Sequence, residues 1–170
     1  MGFTERENER VRVLDYALRP DGNDEMFVMA DDETFYPWYA RLLSTLTVLT
    51  GEQDIVFASA VGDGESANVV LVTESAVMTA HIQNAEGNEH VPVRVVPINA
   101  VTTISVSASM RFDVKGSAKL GWPGNLTVDA TFAGVDDPIR FEGNSWERHT
   151  EDHVGSISRL LDLLRNKLEV

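Results

Sequence analysis

The chain of 170 residues contains no cysteine. Disulfides, thiolate nucleophiles and cysteine-ligated zinc or iron–sulfur centres are therefore excluded, and the composition fits a reducing cytoplasm. Lysine is scarce too: Lys115, Lys119 and Lys167 are the whole complement, and the net charge is −13. So acidic a surface repels phosphate backbones and anionic lipid heads, which disfavours nucleic acid and membrane surfaces as partners. Long apolar runs are missing as well. None approaches the roughly 20 residues that span a bilayer, and the start, "MGFTERENERVRVL", is charged where a secretory signal needs an apolar centre. These absences point to a soluble, cytoplasmic protein. The acidity is uneven, with 12 acids against 5 bases in residues 1–60 but 10 against 8 in residues 111–170. Any surface that faces an anion is expected in the C-terminal half.

What is present is a single domain over residues 31–170, large enough to bury a core, preceded by an extension over residues 1–30. In the extension, "TERE" (Thr4 to Glu7) has the form of a capping box, and Val11, Leu14 and Leu18 follow at helical spacing. A short helix is predicted here, although "VRVLDYAL" could also be read as a strand, and "RPDGND" is a turn or linker. A helix is predicted over 33–50. Phe35, Trp38, Tyr39, Leu42, Leu43, Leu46 and Leu49 share one face, with Asp31 or Asp32 as cap, Pro37 tolerated in the first turn and Gly51 as terminator.

From residue 54 the period changes to that of strands. "DIVFASAV", "NVVLVT", "AVMTAHI", a long β-rich run from Val91 bent at Pro97 and Asn99, "LTVDATFA" and "IRFEG" give about seven strands separated by turns. The last two form a hairpin across "GVDDP", and Leu126, Val128, Ala130 and Phe132 alternate as one buried face requires. A second amphipathic helix is predicted over 151–168, where Val154, Ile157, Leu160, Leu161, Leu164 and Leu168 form its stripe and Arg165 and Lys167 sit at its C-terminal end. The fold class is therefore α+β: an antiparallel sheet or barrel between two helices, with the last helix covering an open end.

The segments "GEQDIVFASA", "VVLVTESAVMTAHI", "VVPINAVTTISVS", "LTVDATFAGVDDPIRFEG" and "VGSISRLLDLLRNKL" together resemble the bacterial pleckstrin-homology-like (PH-like) barrel. The resemblance covers residues 33–168 and rests on pattern, not on a diagnostic motif. It implies an antiparallel barrel closed by a C-terminal helix, and a non-enzymatic module that binds a protein partner or associates with itself. Lipid-binding relatives place bases in the loop between the first two strands. Here that loop is "VGDGESAN", with Asp63 and Glu65 and no base, so phosphoinositide binding does not carry over.

Few motifs suggest chemistry. Gly62, Gly64 and Ala67 match the outline of a dinucleotide fingerprint, but the β-branched "NVVLVT" follows where a helix would have to begin, so a hairpin turn is expected. Ser59, Ser66 or Ser75 with His81 or His90 have no spacing that singles out a catalytic pair. His149, Asp152 and His153 in "HTEDH" approach the inverted zinc-hydrolase pattern H-x-x-E-H, the alternative being a small metal-dependent hydrolase. Only 17 residues follow His153, and Asp162 lies nine residues beyond it, too far along one helix to share an ion. The stretch reads better as a helix start, with Thr150 as N-cap and Glu151 and Asp152 in the first turn. No catalytic, cofactor or metal residue is assigned. Arg111, Lys115, Lys119 and Trp122 remain as a possible contact patch for an acidic partner, and Trp146 as an anchor before the last helix. A third possibility is a small-ligand carrier with a pocket inside the barrel.

Overall fold

The computed structural model describes residues 4–19, 36–62, 66–83, 90–108, 125–144 and 157–168. Helix α1 spans Glu5–Leu18 and α2 spans Pro37–Thr50. Among the described residues seven strands follow: β1 (Ile55–Gly62), β2 (Ser66–Thr73), β3 (Ala76–Gln83), β4 (Val93–Pro97), β5 (Val101–Ala108), β6 (Asn125–Phe132) and β7 (Ile139–Asn144). Helix α3 (Ile157–Leu168) ends the described chain, and no described helix is long and apolar enough to cross a membrane.

The strands form two antiparallel sheets, of order β1-β2-β3-β4 and β5-β6-β7. They are not closed into a barrel, which corrects the expectation of a single barrel interior. The reason lies in "NVVLVT". A run apolar at successive positions is buried on both faces, as in a middle layer. Ala67, Val69 and Leu71 join α1 and α2 in one core, while Val72 joins β5, β6, β7 and α3 in a second. The molecule is thus layered: helices α1 and α2, then the four-stranded sheet, then the three-stranded sheet with α3. At β1 an extra residue shifts the register between Ile55 and Phe57, so that Val56 and Phe57 both enter the second core while Ile55 stays in the first.

Pro97 ends β4, and residues Ile98–Ala100 turn the chain as a short 3-10 helix into β5. Two bonds fix that corner: the Ile98 amide donates to the Ser75 carbonyl at 2.9 Å, and the Ala133 amide to the Ala100 carbonyl at 2.7 Å. Helix α3 packs against β1 of the first sheet, β5 and β7 of the second, and this corner. Ile157, Leu160, Leu161 and Leu164 of its stripe are buried, and Leu168 is at the surface. Gly143 on β7 lets it approach closely, since a Cβ there would lie 3.0 Å from the Ile157 Cβ.

Helix α1 belongs to this structure. Thr4 is its N-cap, and the reciprocal bonds to Glu7 complete the capping box. Leu14, Ala17 and Leu18 are buried in the first core, and Arg10 reaches Thr50 Oγ1 at 3.1 Å and the Gln53 carbonyl at 2.6 Å. Helix α2 starts later than predicted. Tyr36 is its N-cap without a side-chain bond, and Pro37 opens the first turn, where its missing amide costs no helical bond. Asp31 and Asp32 lie outside the described residues, as do the 151–156 portion of the last predicted helix and its Thr150 cap.

Candidate functional site

Most residues that the sequence singled out lie outside the described residues: Arg111, Lys115, Lys119 and Trp122, the His149, Asp152 and His153 group, Trp146 and Gly64. Among the described residues no group of three His, Asp or Glu side chains could hold a metal ion. His81 is placed on β3, opposite Asn68 of β2. Its Nδ1 lies 2.6 Å from Asn68 Oδ1, and Gln83 Nε2 lies 2.9 Å from its Nε2. An amide nitrogen can only donate, so Nε2 accepts and Nδ1 carries the proton toward Asn68. Ser59 lies on β1 on the same face, two strands away, with Val70 and Thr79 beside it. That distance does not bring a serine oxygen to the imidazole. His90 lines a shallow depression with Ala40, Arg41, Ser44, Thr45 and Val91.

A larger cleft, of about 480 Å³, opens between the two sheets. Ser59, Thr79, His81 and Arg94 come to it from the four-stranded sheet, and Val135, Pro138 and Ile139 from the β6–β7 turn and β7. Arg94 donates to the Gly134 carbonyl at 3.4 Å across this gap. Gly134 itself has φ +77°, a left-handed conformation that favours glycine in the turn.

The more distinctive feature is an edge. Among the described residues the two sheets have four edge strands, β1, β4, β5 and β7. Natural proteins protect edges with charge, proline, short length or covering elements, because an unprotected edge templates the addition of another strand. β4 is five residues long, with Arg94 inside it and Pro97 at its end. β7 carries Arg140 and Glu142. β1 packs against α1, and β1 and β5 both pack against α3. β5, "VTTISVSA", has eight residues and no charge or proline, and Ser105, Val106, Ser107 and Ala108 are all exposed. Val106 is 43% exposed although it points to the same side as the fully buried Val128, its neighbour on β6.

The chemistry of β5 is uniform. Ile104, Val106 and Ala108 lie on the core-facing side, opposite Ala130, Val128 and Leu126. Thr103, Ser105 and Ser107 lie on the other, opposite Thr131, Asp129 and Thr127. Asp129 is neutralised by Arg140 of β7, 2.9 Å away. Sequence reasoning missed this site because "VTTISVS" reads as an ordinary half-buried strand. The available signal was its lack of charge in a chain that is 24% charged. Compared with protein-family models, with curated proteins and with solved structures, the chain has no significant match.

Proposed function

We propose that this chain is a non-enzymatic, cytoplasmic binding or assembly module of the PH-like kind, and that β5 is the edge to which a protein partner adds a strand. The observation that carries the reading is β5 itself, among the described residues an edge strand with no charge or proline whose Ser105–Ala108 half is exposed. The PH-like arrangement is supported by the division of the seven described strands into four and three, with the C-terminal helix packed against strands of both sheets. Main-chain hydrogen bonds from an added strand would supply affinity, and the exposed Val106 side chain would supply an apolar contact. The absence of bases in "VGDGESAN" and the net charge of −13 set phosphoinositide and nucleic-acid binding aside.

Affinity capture from the native cell, with wild-type protein and Val106→Lys side by side, tests this reading. A protein retained by the wild type and lost by the variant supports strand addition at β5. Partners retained equally by both contradict it.

A second reading, a small-ligand carrier, is favoured by the cleft between the sheets, whose volume falls in the range of small-molecule sites. Saturable binding of an apolar dye, weakened by Thr79→Trp, would support it. No saturable binding would remove it.

A further inference from the structure

We infer that the strand added to β5 is β5 of a second copy, antiparallel about a two-fold axis at Ser105. This rests on the proposed opening of the β5 edge and names its occupant.

A homodimer with two-fold symmetry uses the same patch on both subunits, so an edge strand that pairs with itself must be complementary to its own reverse. With Ser105 facing Ser105, Ile104 faces Val106 of the second copy and Thr103 faces Ser107. No pair brings like charges together, since β5 has none. Each pair also matches in kind, β-branched aliphatic with aliphatic and hydroxyl with hydroxyl, the combinations that stabilise antiparallel ladders.

The neighbouring strands extend the match. On the core-facing side, Phe141, Val128 and Val106 form one row across β7, β6 and β5, while Ile139, Ala130 and Ile104 form the next. Pairing about Ser105 joins the first row to the second row of the other copy. The result is an unbroken apolar row of six side chains through the axis, in which Val106 acquires the apolar neighbour it lacks. On the opposite side, the nearest like charges are the two Asp129 carboxylates. They lie three strand spacings apart, about 14 Å, beyond the screening length of about 8 Å at physiological salt, and each is already paired with its own Arg140. The two three-stranded sheets become one of six strands.

Because β5 has a register shift between Val101 and Thr103, regular pairing is confined to Thr103–Ser107. So short a ladder falls below the area of a standard interface, and the dimer is therefore expected to be weak and concentration-dependent.

The chain has no cysteine, so a single introduced thiol reports one register. Two Cα atoms facing each other across such a ladder are about 4.5–5.5 Å apart, within the span of a disulfide. In the full chain under mild oxidation, Ser105→Cys is expected to form a covalent dimer at least about tenfold faster than Val48→Cys, a control on the exposed face of α2. Adding Val106→Lys to Ser105→Cys should remove the excess. If Ser105→Cys cross-links no faster than Val48→Cys, the inference is overturned. In that case capture of a different protein by the wild type and not by Val106→Lys leaves strand addition standing, whereas equal capture by both removes strand addition as well.

Discussion

The Tyr39 hydroxyl on α2 donates a hydrogen bond to Asp15 Oδ1 on α1 at 2.8 Å. Arg19 grips the same carboxylate through two nitrogens, each 2.6 Å from an oxygen. Tyr39 is fully buried and the ion pair largely so, so this is a desolvated link that fastens the N-terminal helix to the rest of the protein. Asp15→Ala removes the carboxylate that the Tyr39 hydroxyl and the Arg19 guanidinium share, and is expected to cost about 3 kcal/mol. Tyr39→Phe leaves the ion pair intact and should cost about 1 kcal/mol. Urea denaturation of both variants checks the ranking, and equal losses would contradict it.

The same link has a signature in alkali. Burial, followed by the adjacent Asp15 carboxylate, raises the Tyr39 hydroxyl well above its ordinary value. A group whose pKa is raised on folding contributes stability that is complete below its unfolded pKa, about 10 for tyrosine, and is lost as pH rises beyond it. Stability should therefore fall above about pH 10, and Tyr39→Phe should lose part of that slope. Thermal melts from pH 8 to 11 measure both.

Gly143 is predicted to be intolerant for a steric reason. A methyl group there meets the first residue of α3, Ile157, at its Cβ, which cannot swing aside as a flexible side-chain tip could. Gly143→Ala is expected to cost about 1–3 kcal/mol, with loss of α3 packing visible in near-ultraviolet circular dichroism. Unchanged stability would mean that α3 can move away from β7 freely.

Much of the architecture was legible in the sequence. Period 3.6 marked the stripe of α3, and period 2 marked Leu126, Val128, Ala130 and Phe132 of β6. Thr4 and Glu7 announced the cap of α1. The layering was harder to see. It depends on the extra residues at Val56 and Thr102, which shift register without leaving a sequence mark, and on the two-sided burial of "NVVLVT", whose local pattern fits a strand of a single barrel as well. The candidate site was less legible still. Exposure of Val106 depends on which strands and helices stop short of it, and this is a property of tertiary neighbours and not of the local pattern. Val128, in a similar alternation, is wholly buried.

Association through an uncharged edge in so acidic a protein should respond to salt in the direction opposite to that of an ion-paired interface. Each copy carries −13, so the general repulsion between copies is screened as ionic strength rises, while the β5 contacts themselves involve no charge. Light scattering at fixed protein concentration should show the average mass rising between 0.05 and 0.5 M sodium chloride, an interval over which the screening length falls from above about 10 Å to a few ångströms. A fall in mass over that range would point to an interface held by ion pairs elsewhere.

On the proposed assembly, the β5 edge is open in the single copy and covered in the dimer. Amide hydrogen exchange of residues 103–107, followed as a function of protein concentration, tests it most directly. The expected result is rapid exchange in dilute solution and growing protection as concentration rises, with Val106→Lys folded normally and exchanging rapidly throughout. Protection that is already full in dilute protein, and equal in Val106→Lys, would contradict the account.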